Sequence, residues 1–172
     1  MNKTNVSPSS LFIIGSGFWK TAQLLSQRLG STSDFDLVSP IFVNLAFSCE
    51  VYLKCLILIQ TANLEHGHDL YKLFLKLPSS DRGAIEKRYV SFLNSSPIVK
   101  TMKRDFPSTD LTLDKVLSEF SQTFQNWRYS YEGAVNQTLG LGEFVNAIQR
   151  HLMQAIPELN KALHVPFPFS EK

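Results

Sequence analysis

The stretch Ile41–Ile59, IFVNLAFSCEVYLKCLILI, constrains this chain more than any other, because it is apolar in nearly every direction yet carries Glu50 and Lys54 at its middle. Wound as a helix, these two side chains fall about 40° apart on one face, one turn from each other, in the Glu-before-Lys order that favours pairing. The apolar remainder predicts a central buried helix of a helical domain, with neighbours packed around it. Two readings of the pair stay open: a functional pair, or the wetter edge of a helix that only packs. The window also approaches the length a bilayer requires. Asn44, Ser48, Glu50 and Lys54 interrupt it, however, and two ionisable groups at mid-membrane would be costly, so no membrane partner is expected.

A chain of 172 residues with 44% hydrophobic content can bury a real core and suits a single domain over 1–172, with 1–10 and 165–172 as flexible tails. A net charge of +2 is too slight to argue for a nucleic-acid partner by itself. Its distribution says more: between Asp81 and Arg104 stand Arg82, Lys87, Arg88, Lys100, Lys103 and Arg104 against only Asp81 and Glu86. Such a surplus suits either a phosphate backbone or a solvated face. Leu11–Ile14 is too short for a secretory core. Cys49 and Cys55 share the proposed helix, about 9 Å apart by rise alone and pointing in divergent directions, so they cannot bridge each other. A reducing cytoplasm is the consistent location.

Along the chain, Leu11–Gly17 (LFIIGSG) has the outline of a strand entering a glycine-rich phosphate loop, but Lys20 stands where the third glycine of a dinucleotide fingerprint belongs. The alternative is that the glycines open a helix, since Phe18, Ala22, Leu25 and Leu29 recur at helical spacing and Gly30 closes the run. A loop over Ser31–Asp36 leads to the central helix, which Pro40 starts near its first turn and which runs to about Ala62. Asp69 is a good N-cap for a short helix, Leu70–Leu77, before Pro78. A helix at about Ser80–Leu93 follows. Asn94–Asp110 reads as an irregular connection with one turn around Val99–Arg104. Leu113, Val116, Leu117, Phe120, Phe124 and Trp127 mark an apolar stripe from about Thr112, leading into WRYSYEG, Trp127–Gly133. Glu143–Ile156 is the last strong helix, Pro157 begins a short additional one to Leu163, and no strand is convincing.

For chemistry, His66, His68 and Asp69 lie together but without any metal-ligand spacing, so no metal and no cofactor is expected; His68 reads better as holding the loop before its helix. No serine or cysteine stands at a recognisable spacing from a base. His151, on an apolar stripe, reads as a hydrogen-bonded histidine of the core or its edge.

The order of a long helix with A-F-S-C-E-V-Y-L-K-C-L-I (Ala46–Ile57), then H-D-L-Y-K-L-F (His68–Phe74), then an arginine-bearing motif late in the chain resembles the HEPN domains, named for higher eukaryotes and prokaryotes nucleotide-binding. The resemblance spans about Gly17 to Ile156. It implies an all-α, up-and-down bundle of four to five main helices plus short ones, usually a homodimer, with a groove near the dimer axis. Members with ribonuclease activity carry R-x(4–6)-H, in which the arginine steadies the phosphate and the histidine aids proton transfer.

Carried over, the motif arginine lands on Arg128, and the required histidine is missing: Gly133, Ala134 and Val135 stand there. The chain offers R-Y-S-Y-E instead, with Glu132 one helical turn after Arg128. A guanidinium can still clamp a phosphate, but an ionised carboxylate only accepts hydrogen bonds and could equally occupy that arginine. Without the histidine, the natural proton carrier near neutral pH is gone. The sequence therefore points to a non-catalytic nucleotide- or RNA-binding regulatory module. Glu50, Lys54, Arg128, Tyr129, Tyr131 and Glu132 are its ligand-binding residues, with the tyrosines available for base stacking. A bacterial stress, toxin–antitoxin or defence setting, with a nucleotidyltransferase-type partner, is what the resemblance implies. The alternative is a metal-independent endoribonuclease in which Arg128 and Glu132 are catalytic.

Overall fold

Ser7 is the N-cap of the first helix, its hydroxyl accepting from Ser10 N at 3.1 Å just ahead of Pro8. A computed structural model describes residues 6–121 and 140–163, and every regular element in them is helical. The helices are α1 (Pro8–Thr32), α2 (Val38–Thr61), α3 (Leu70–Leu75), α4 (Ser79–Ser95), α5 (Pro97–Asp105), α6 (Leu113–Phe120), α7 (Leu141–Ala155) and α8 (Glu158–Ala162). A 3-10 turn at Phe35–Leu37 joins α1 to α2.

Three sequence expectations fail at α1. Residues 8–10 are helix rather than tail, and Gly15 and Gly17 lie inside the helix instead of opening it or forming a phosphate loop. The run closes not at Gly30 but at Ser33, which adopts a left-handed conformation (φ 59°) and returns its N–H to Leu29 O. Glycine inside a helix costs about 1 kcal/mol relative to alanine, and at Gly15 packing explains it. A Cβ there would stand 2.8 Å from the Tyr52 ring. α1 and α2 thus run antiparallel at close range, with Phe12 against Tyr52 and Phe18 against Phe47.

α2 is buried over most of its circumference, from Ile41 and Leu45 through Tyr52 and Leu53 to Ile57, with a half-buried stripe at Asn44, Phe47, Val51, Lys54 and Leu58. By length and hydropathy the 27-residue segment Phe35–Thr61 would also pass as a membrane span, with mean hydropathy 1.8 over an 18-residue window. Here it is packed as a core helix, against α1, α3 and α7. Its centre is tied by polar side chains: Ser48 Oγ donates to Gly15 O at 2.9 Å, and the Tyr52 hydroxyl meets Ser16 Oγ at 2.8 Å and Gln149 Nε2 at 2.7 Å. Burial pushes the Tyr52 hydroxyl up to about 12, outweighing the hydrogen bonds with Ser16 and Gln149 that lower it.

The long helices pack in the order α1, α2, α7, α4, so the last long helix in the chain sits between two earlier ones. Phe144 of α7 meets both Phe74 of α3 and Tyr89 of α4 edge-on. α7 can start there because Gly140 takes φ 90°, and a Cβ at that position would stand 2.7 Å from the Tyr89 hydroxyl oxygen. The connection expected to be irregular contains a full helix, α5, capped by Ser96. Asp69 caps α3 as read from the sequence, accepting from Lys72 N at 3.0 Å.

Candidate functional site

Glu50 lies inside the protein, not at a wet edge: its side chain is 7% exposed and that of Lys54 is 12% exposed. Lys54 Nζ donates to Glu50 Oε1 at 2.8 Å. His68 lies against the same oxygen, Nδ1 to Oε1 3.0 Å, with its ring three-quarters exposed. A carboxylate only accepts, so the tautomer or charge state that puts hydrogen on Nδ1 completes this contact. Glu50 Oε2 is buried and, among the described residues, has no hydrogen-bond partner. One carboxylate thus has two donors on one oxygen and none on the other. The adjacent Cys49 thiol is pushed up by burial and then by the charge of Glu50, which makes it a poor nucleophile.

The loop before α3 brings His68 to this pair, and α3 itself is fastened to the end of α6. The Ser121 hydroxyl lies 2.9 Å from Asp69 Oδ1 and 2.7 Å from Leu117 O, and accepts from Tyr71 N at 3.0 Å. Burial raises the Asp69 carboxyl, but hydrogen bonds from Lys72 and Ser121 outweigh it and hold the group below the usual carboxylate range. The chain therefore leaves α6 one residue away from His68 in contact terms, since Ser121 touches Asp69. Arg128, Tyr129, Tyr131 and Glu132, named from the sequence, lie outside the described residues. Of the sequence-derived set, Glu50 and Lys54 are together, and His68, read only as a loop holder, joins them.

A second polar cluster had no local signal in the sequence. His151 on α7 meets Asp81 at the start of α4, Nε2 to Oδ1 3.1 Å, and the other Asp81 oxygen accepts from Gln60 at the end of α2. Arg88 donates to Gln154 alongside. His151 is thus a hydrogen-bonded histidine at the core edge, as its stripe position implied. The basic surplus of this region divides: Lys87, Lys100, Lys103 and Arg104 are exposed, Arg104 being paired with Asp105, whereas Arg82 and Arg88 are half-buried with their Nε atoms unpartnered. Among the described residues, no three metal-ligating side chains come together.

The Glu50 cluster can hold a polar ligand but offers no attacking group. Lys54 uses one of its three donors on Glu50, His68 shows its outer edge to solvent, and Oε2 is a buried acceptor without a partner among the described residues. No family model, no curated protein and no solved structure matches this chain.

Proposed function

We propose that this chain is a non-catalytic, HEPN-like helical module that binds a nucleotide or single-stranded RNA at the Glu50–Lys54–His68 cluster together with Arg128. The observation that carries this reading is the buried ion pair with one orphaned carboxylate oxygen. Replacing such a pair with apolar residues commonly leaves a protein equally or more stable. A core helix that keeps one, half satisfied, next to the exit of α6 has the composition of a recognition site rather than of a packing contact. Tyr129 and Tyr131 would supply stacking surface, and Arg128 a phosphate clamp. Homodimerisation, a cytoplasmic setting in bacterial stress or defence, and a nucleotidyltransferase-type partner belong to the same proposal.

The test is titration of labelled single-stranded RNA and of nucleotides into the purified protein without metal, with cleavage followed in parallel. Binding without cleavage, weakened about tenfold or more by both Arg128→Ala and Lys54→Met, is the expected result. Cleavage that vanishes in Arg128→Ala would replace this reading with the ribonuclease one. Absence of binding by the wild type would end both.

A further inference from the structure

On the other side of α2 from Glu50 and Lys54, a cleft of about 580 Å³ opens between the second half of α1, the first half of α2 and the beginning of α7. Its floor and walls are formed by Trp19, Ile41, Phe42 and Leu45, with Gln23 at one rim and Glu143 at the other. The volume is that of a small-molecule site, and the wall has the usual make-up of one, apolar and aromatic with a few polar groups. Among the described residues, Glu143 is the only charged side chain in the lining. Within that set it is half-buried, and among the described residues it makes no ion pair and shares the wall with no basic side chain.

An uncompensated carboxylate at the edge of an apolar, aromatic-walled cleft selects by charge. An anion would be repelled, and a neutral apolar molecule would leave the carboxylate partly dehydrated with nothing in return. An organic cation satisfies both elements: its apolar body covers Ile41 and Leu45, and its ammonium or guanidinium pairs with Glu143. We propose that this cleft is a binding site for amphiphilic organic cations, with an aromatic or alkyl body and an amine head held by Glu143. It is independent of the nucleotide-binding proposal, since the Glu50–Lys54–His68 cluster and the cleft use different faces of α2 and share no residue.

The experiment uses three probes with one body and different heads: phenylbutylamine, phenylbutanol and phenylbutyrate, each titrated into the full chain by calorimetry and by ligand-observed NMR. The amine is expected to bind about tenfold more tightly than the alcohol, with the carboxylate weakest, as a charge-assisted hydrogen bond would give. Glu143→Gln removes the advantage of the amine over the alcohol, Glu143→Asp keeps it, and Gln23→Glu, which adds a second carboxylate to the rim, increases it. Circular dichroism of each variant separates loss of binding from loss of fold. Alcohol or carboxylate binding as tightly as the amine, no binding of the amine, or an amine preference unchanged in Glu143→Gln would overturn the proposal.

Discussion

Lys54→Met removes a donor from a carboxylate that has almost no water to fall back on. At 2.8 Å, and with an effective dielectric of about 20, the Coulombic attraction in the pair is about 6 kcal/mol. Most of it offsets the cost of taking both charges out of water, so the intact pair adds little net stability. Breaking it from one side is different, because the Glu50 side chain remains 7% exposed with its charge uncompensated. Such one-sided removals cost about 3–5 kcal/mol, and here the lower end applies, about 3 kcal/mol, since His68 still touches Oε1. For a chain of this size that is a fall in Tm of about 6–12 °C. Urea and thermal unfolding of wild type, Lys54→Met, Glu50→Gln and the double variant would measure it. In the double variant no buried charge is left, and more than half of the loss should return. A Lys54→Met loss within about 0.5 kcal/mol, the range of ordinary surface changes, would refute the burial argument, as would a double variant whose losses simply add.

Three further outcomes follow from the core. Gly15→Ala should destabilise by about 1–3 kcal/mol because its methyl meets the Tyr52 ring at 2.8 Å, while Gly17→Ala, in open space on the same helix, should stabilise by up to about 1 kcal/mol; thermal melts that move both variants the same way would contradict the close α1–α2 approach. The Tyr52 hydroxyl, raised from 10.0 to about 12, must stay protonated in the fold, so its contribution is intact below pH 10.0 and is lost as pH rises towards about 12; Tyr52→Phe should show a shallower alkaline fall in urea stability, and an identical slope would count against the buried hydroxyl. Cys49 and Cys55 are buried with thiols pushed upward, so a thiol reagent at neutral pH should label neither until the chain unfolds, and immediate labelling of the native protein would place them elsewhere.

What the sequence revealed depended on how local the cause was. α2 was legible because its apolar residues point every way, and α3 because Asp69 is a cap whose partner lies three residues on. α1 was misjudged at its start because two glycines normally discourage a helix, and the reason they are tolerated, at least at Gly15, is a ring from another helix. The spacing of Glu50 and Lys54 gave their pairing but not their burial, which neighbouring helices decide. His68 was close enough in sequence to be noticed and too far along to be assigned to Oε1. Asp81 and His151 are 70 residues apart, and no local pattern joins them. The arginine motif at Arg128 lies outside the described residues, and its role stands or falls on the titrations.

The placement of α7 between α2 and α4 has a consequence for how the protein is made. Until Leu141 to Ala155 has left the ribosome, Tyr52 waits for Gln149, Asp81 for His151, and Phe74 and Tyr89 for the wedge of Phe144. The α1–α2 hairpin can form early from neighbouring segments, but its inner face stays greasy and uncovered through most of synthesis. A nascent chain of this kind invites chaperone holding, and a premature stop before α7 would leave an aggregating fragment instead of a smaller working domain.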